Sequence, residues 1–126
     1  MGNVLRTAGT WLGGMFRRHA SGQVLYKRAA GTASVVAHKG RCEAHVDGEV
    51  VRFTSEWRDW FVDAFDLVLP TVGRTLPREG DRIEETDGAT VYVYEVMPPT
   101  GAERAYEWTS SDRRRLRIHT KEIDTR

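Results

Sequence analysis

The sequence predicts a mostly β domain, a small antiparallel β-barrel or sandwich with one N-terminal α-helix. Three observations carry this expectation. Short β-prone runs recur from residue 22 to the C-terminus, separated by turns rich in Gly, Pro and Asp-Gly pairs. Apolar and polar residues alternate within the last of those runs, as in a strand with one dry face. Residues 1–21 follow a different rhythm, with apolar residues three and four positions apart. A chain of 126 residues, 40% of them hydrophobic, suits one domain with one modest core. The expected organisation is a helix over 1–21 and a β-barrel domain over 22–126.

In the helical segment Val4, Leu5, Ala8, Trp11, Leu12, Met15 and Phe16 form the apolar stripe. Arg17, Arg18 and His19 complement the C-terminal dipole, and Ser21-Gly22 is the expected stop. Gly9, Gly13 and Gly14 each weaken such a helix by about 1 kcal/mol relative to alanine. A helix this poor in propensity needs something to pack against, either its own domain or a neighbour.

The strands follow in order. Gln23–Lys27 and Ala33–His38 are β-prone runs on either side of Gly31, with Lys39-Gly40 closing the second. Glu43–Val46 and Glu49–Thr54 flank Asp47-Gly48, a tight-hairpin signal. Arg58–Val62 reads as a strand, and Ala64–Leu69 reads equally as strand or helical turn. Pro70 and Pro77 bound a loop containing Gly73. Arg82–Glu84 is a strand, Asp87-Gly88 a second hairpin turn, and Thr90–Val96 a strongly β-prone run. Pro98-Pro99-Thr100-Gly101 must interrupt the sheet. Arg104–Trp108 resumes it, Ser110-Ser111-Asp112 turns, and Arg113–Thr120 is the last strand. There Leu116 and Ile118 are expected inside, with Arg115, Arg117 and His119 on a wet, basic face.

Net charge is only +1, but it is unevenly spread. Residues 1–42 carry seven basic and no acidic residues, 43–108 six basic and fifteen acidic, and 109–126 six basic and three acidic. Basic ends around an acidic middle suit complementary contacts between copies or partners, although a solvated surface with clustered signs explains them as simply. Cys42 is the single cysteine, so no internal disulfide forms, which fits a reducing compartment. No run approaches the roughly 20 apolar residues of a membrane span. Arg6 stands where a myristoylation signal needs Ser or Thr, and Trp11–Phe16 is too short and interrupted for a signal peptide.

Catalytic and metal-binding patterns are weak. Cys42 has His45 three residues on, without an evident orienting group or oxyanion hole. His19, His38, His45 and His119 are scattered, without the spacing of a zinc site, and Gly9–Gly14 lacks the Lys-Ser/Thr of a phosphate loop. The many central carboxylates make any glycosidase-like pair uninformative. No catalytic residue, metal or cofactor is therefore expected. Nucleic-acid binding is the more serious rival. Arg113-Arg114-Arg115 and Arg117, with Tyr106 and Trp108 nearby, resemble a basic patch beside stacking platforms. The acidic middle and a pI near 8.0 count against it.

Between Arg58 and Lys121, the stretch Phe61-Val62-Asp63-Ala64-Phe65-Asp66-Leu67 leads to Pro77-Arg78-Glu79-Gly80-Asp81-Arg82-Ile83 and, after a hairpin, to Tyr94-Glu95-Val96. In this order the chain resembles head-tail joining proteins of tailed bacteriophages. Trp108–Asp112 and Leu116–Lys121 are similar to short phage proteins of the same neck position. Physically, Gly80 permits a backbone closed to other residues and Asp81 hydrogen-bonds the turn.

The resemblance implies a non-enzymatic virion protein, assembled in the host cytoplasm. It would form a homo-oligomeric ring at the head-tail interface and close the filled head. Its implied partners are a portal or adaptor ring on one side and tail-terminator or tail-tube proteins on the other, without a membrane. Interface candidates are Trp11, Phe16, Arg17 and Arg18 on the helix and Arg113, Arg114, Arg115 and Arg117 on the last strand. The chain departs from the lambda-type pattern in its longer, more basic C-terminal strand, which leaves open whether that strand faces protein or makes non-specific contact with packaged DNA.

Overall fold

The computed structural model describes residues 21–126. The expected helix over 1–21 and its interface candidates Trp11, Phe16, Arg17 and Arg18 lie outside those residues, save that Ser21 already belongs to a strand. The strands are β1 (Ser21–Arg28), β2 (Gly31–Arg41), β3 (Glu43–Val46), β4 (Glu49–Arg52), β5 (Trp57–Asp63), β6 (Val68–Leu69), β7 (Gly73–Arg74), β8 (Arg82–Asp87), β9 (Thr90–Val96), β10 (Tyr106–Trp108) and β11 (Arg115–Thr125).

Six of them close a barrel. Hydrogen bonding runs β11-β5-β2-β1-β8-β9 and returns from β9 to β11, every pair antiparallel. An even number of strands permits that closure, which leaves these strands no open edge. The eleven-residue β11 makes it possible. One of its edges pairs β5 from Arg115 to Lys121; the other pairs β10 through Leu116–Ile118 and then β9 from Thr120. A bulge between Glu122 and Asp124 bends its far end.

Alternation fills the interior. Trp60 faces Ile118 across the β5–β11 pair and Val62 faces Leu116, while Tyr26 faces Ile83 across β1–β8, all essentially buried. Trp60 packs edge-on against Tyr94, with ring centroids 5.3 Å apart, and its indole N–H donates to Thr120 at 3.0 Å. A buried aromatic of this size contributes about 3–5 kcal/mol relative to alanine. Leu67 and Leu69, both buried, join the same core.

Most turns follow the sequence. Asp47 and Gly48 both have positive φ (51° and 83°), as a two-residue primed turn between β3 and β4 requires. The ambiguous stretch after Asp63 is a single 3-10 turn, Ala64–Asp66, followed by the two-residue β6.

Other boundaries differ from expectation. Ser21-Gly22, the expected helix stop, opens β1. Lys39-Gly40 does not close β2, because the Phe61 ring lies over Gly40 and pairing with β5 runs through Arg41. A Cβ at Gly40 would sit 3.0 Å from that ring. The second hairpin turns on Gly88-Ala89, one residue later than expected, since Asp87 pairs with Thr90. Arg113 and Arg114 precede the last strand, and that strand runs on to Thr125. His119 is fully buried instead of wet, because further chain covers this side of the barrel. That cover is the β3–β4 hairpin and the 97–105 loop, which meet where Gly101 abuts Val46.

Candidate functional site

Two polar clusters stand out on this barrel, one buried and one exposed. The buried cluster begins from register. Asp59 of β5 lies directly opposite His119 of β11, on the outer face, between the inward-facing pairs. The Asp59 carboxylate, fully buried, meets His119 Nδ1 at 2.7 Å, accepts from Arg117 Nε, and accepts from the Glu43 N–H at 3.2 Å. The other imidazole nitrogen meets Glu107 of β10 at 3.0 Å. Arg117 also donates to the Arg41 carbonyl at 3.1 Å and lies 5.0 Å from the Phe61 ring centre. One carboxylate thus ties the start of β3 to the barrel wall, and His119 extends the tie to β10.

Cys42 Sγ lies 3.8 Å from His119 Nδ1, so the histidine beside this thiol is His119 and not His45. Burial, then the hydrogen bond with Asp59, pushes the thiol well above its ordinary range and keeps it neutral. A neutral, fully buried thiol is a poor nucleophile. Cys42, Asp59 and His119 bring their donor atoms within 4.8 Å of one another, a grouping that the scattered histidines of the sequence did not suggest. A cation would have to displace the thiol proton and the Arg117 guanidinium from Asp59. The cluster is closed by its own members and acts as a staple.

Alkaline stability follows from the same burial. Burial raises Cys42, Tyr26 and Tyr94 above their ordinary values, in Tyr26 assisted by its hydrogen bond to Asp81. A group raised in the folded state stabilises fully below its unfolded value and loses that contribution as pH climbs toward the folded one. The unfolding midpoint in urea is therefore expected to fall progressively above about pH 8.5 to 10, where an unfolded thiol and phenol ionise. A midpoint constant from pH 8 to pH 11 would contradict this.

The exposed cluster sits at the barrel end where β5 stops and β11 starts. The turn between β10 and β11 is shaped by Asp112, which accepts from Ser110 Oγ at 2.5 Å and from the Arg114 N–H at 3.2 Å. The Ser110 bond, foremost, holds the Asp112 carboxyl below its ordinary range. Arg113 takes a positive φ of 55° here, which explains why it cannot continue a strand. Arg114 donates to Asp63 at 3.1 Å, and its guanidinium lies 5.0 Å from the Phe65 ring centre. Arg74 approaches the same ring at 4.3 Å. Asp63 also caps the 3-10 turn through the Phe65 N–H at 2.9 Å, which with Arg114 lowers its pKa.

Beside this turn lies an open cleft of ≈ 610 Å³, lined by Ala64, Arg74, Thr75, Leu76, Pro77, Arg78, Trp108 and Arg113. The four arginines expected to work together are therefore divided. Arg113 enters the cleft, Arg114 stacks at its border, Arg115 is exposed at the start of β11, and Arg117 is spent on Asp59. Sequence reasoning missed Arg74 and Arg78, which no motif linked to residues some 35 positions away. It also missed Asp59 and His119, whose outward parity reads as solvent. Among the described residues, no helix is long and apolar enough to cross a membrane.

A family model described as phage head-tail joining protein matches residues 2–126. No curated protein and no solved structure matches the chain.

Proposed function

From the premise that this chain belongs to the phage head-tail joining family, we propose that it is a neck subunit that closes the filled head and receives the tail. Membership makes it a structural phage protein that works with head and tail components, and the match over residues 2–126 is the observation that carries the reading. The proposed finer role is a homo-oligomeric ring, with a portal or adaptor ring on the head side and tail-terminator or tail-tube proteins on the other. A closed barrel suits such a part. Its shape is fixed by hydrogen bonds around the whole circumference, so it can carry load without an exposed edge to misassemble.

Chemistry supports an assembly role over catalysis. The buried histidine and cysteine are held in a closed network, while Arg74, Arg78 and Arg113 stand exposed around an open cleft with Leu76 and Trp108. Arg113, Arg114 and Arg115 remain the interface candidates on the described surface, and Trp11, Phe16, Arg17 and Arg18 are proposed for the N-terminal segment. Light scattering tests this. The chain is expected to join a ring-sized complex when mixed with portal or tail components of the same phage. A chain that ignores those components yet binds DNA oligonucleotides at physiological salt, with affinity falling steeply as salt rises, would favour a nucleic-acid-binding barrel instead.

A further inference from the structure

We propose that the cleft between the Leu67–Pro77 excursion and the β10–β11 turn receives a partner polypeptide segment bearing an apolar anchor flanked by carboxylates. This rests on the neck reading and specifies the partner's chemistry. Arg74, Arg78 and Arg113 all border the cleft, and among the described residues none has a carboxylate within 4.0 Å. The contrast with Arg28, Arg114 and Arg117, each of which holds an aspartate, is local and specific. A guanidinium fork without a protein carboxylate is suited to a carboxylate brought by a ligand.

The apolar component is equally local. Leu76, 43% exposed, lines the cleft with Trp108, and Phe65, Val68 and Val72 of the same fourteen-residue stretch (64–77) are 46%, 47% and 44% exposed, so that this stretch holds half of the large hydrophobic side chains left open on the described surface. They are presented by a fixed backbone. Val72 N–H bonds the Leu69 carbonyl at 3.2 Å, Thr75 N–H bonds the Leu67 carbonyl at 3.1 Å, and Arg28 holds Thr75 Oγ1 at 2.9 Å and the Leu76 carbonyl at 2.8 Å. Thr71, β-branched, is held at a φ of 65°, an unfavourable conformation that the hairpin enforces. A surface ordered before its partner arrives binds without the cost of ordering on contact.

Charge and apolarity together choose the occupant. A nucleic-acid backbone would satisfy the arginines but would leave Leu76 and Trp108 of the cleft lining without an apolar partner. The chain's own residues 1–20 carry Arg6, Arg17 and Arg18 and no acidic residue, so they share the cleft's positive sign and are repelled by it. An acidic segment with an apolar anchor matches both features.

The probe is a ten-residue peptide with a central Leu-Phe pair flanked by Asp and Glu, titrated into the isotope-labelled full chain by NMR. The largest shifts are expected at Arg74, Leu76, Arg78, Trp108 and Arg113, with affinity at least tenfold weaker in R74E/R113E and in the single variant R78E. All three arginines are exposed, so these variants keep the fold, and their thermal melts verify it. A peptide with Lys in place of its acids is expected not to bind. Shifts away from the cleft, equal affinity in the variants, tighter binding of a DNA oligonucleotide at the same salt, or cleft shifts on concentrating the chain alone would each overturn the proposal, the last by making a second copy the occupant. Joining assays separate this from the neck reading. If R74E/R113E joins heads to tails as the wild type does, the cleft proposal fails alone; if the wild type joins nothing, the neck reading fails.

Discussion

Asp59→Ala is expected to destabilise the barrel by about 3–5 kcal/mol, the range for breaking a buried ion pair by removing one partner. The carboxylate is fully buried and serves Arg117, His119 and the Glu43 N–H together. Without it the part-exposed Arg117 guanidinium loses its partner, and the His119 imidazole loses its acceptor where water does not reach it. Domains of this size hold only about 5–15 kcal/mol in total, so the variant sits close to unfolding. Circular dichroism should record a melting point lower by on the order of 10 °C or more. Asp59→Asn retains an acceptor for Glu43 but not the charge, and should fall between alanine and wild type. A loss under about 1 kcal/mol for alanine would mean that the network is ornamental.

Asp81→Ala is expected to cost about 2–4 kcal/mol, from one buried hydroxyl and one charged donor left without their acceptor. Asp81 accepts from the Tyr26 hydroxyl, from Arg28 Nε and Nη2 at 3.0 and 2.8 Å, and from the Arg78 N–H at 2.9 Å. Tyr26 is completely buried, so its hydroxyl has no water to turn to. Arg28 also braces Thr75 and Leu76, so the same change should loosen the cleft wall and weaken binding there. The cycle of Asp81→Ala with Tyr26→Phe isolates the shared bond in urea denaturation. A coupling of about 1 kcal/mol or more is expected, and additive losses would contradict the pairing.

Asp81 also shows how far a sequence can be read. Its place after Gly80 identifies it as a turn residue, and the bond to the Arg78 N–H confirms that part. Its three other contacts come from Tyr26 and Arg28, more than fifty positions away, and exist only because β1 lies beside β8. Local chemistry was legible; partners supplied by barrel closure were not. The same division holds elsewhere. Thr90–Val96 and the Asp47-Gly48 turn are fixed by β propensity and by φ preference, both local properties. His119 alternates correctly with Ile118, yet alternation reports which face a residue takes and not whether other chain covers that face. The arginine run misled in another way. Four basic residues close in sequence suggested one patch, but a turn at Arg113 and the pull of Asp59 on Arg117 send them to different surroundings. Their replacements in the cleft, Arg74 and Arg78, arrive from a separate loop.

The central claim is that this chain joins heads to tails, and a phage carrying an early stop codon in its gene tests it most directly. Electron microscopy of the lysate should show DNA-filled heads and free, complete tails in separate populations, and adding the purified chain should restore joined, infectious particles. Joined particles formed without the chain, or heads that never fill with DNA, would contradict the account.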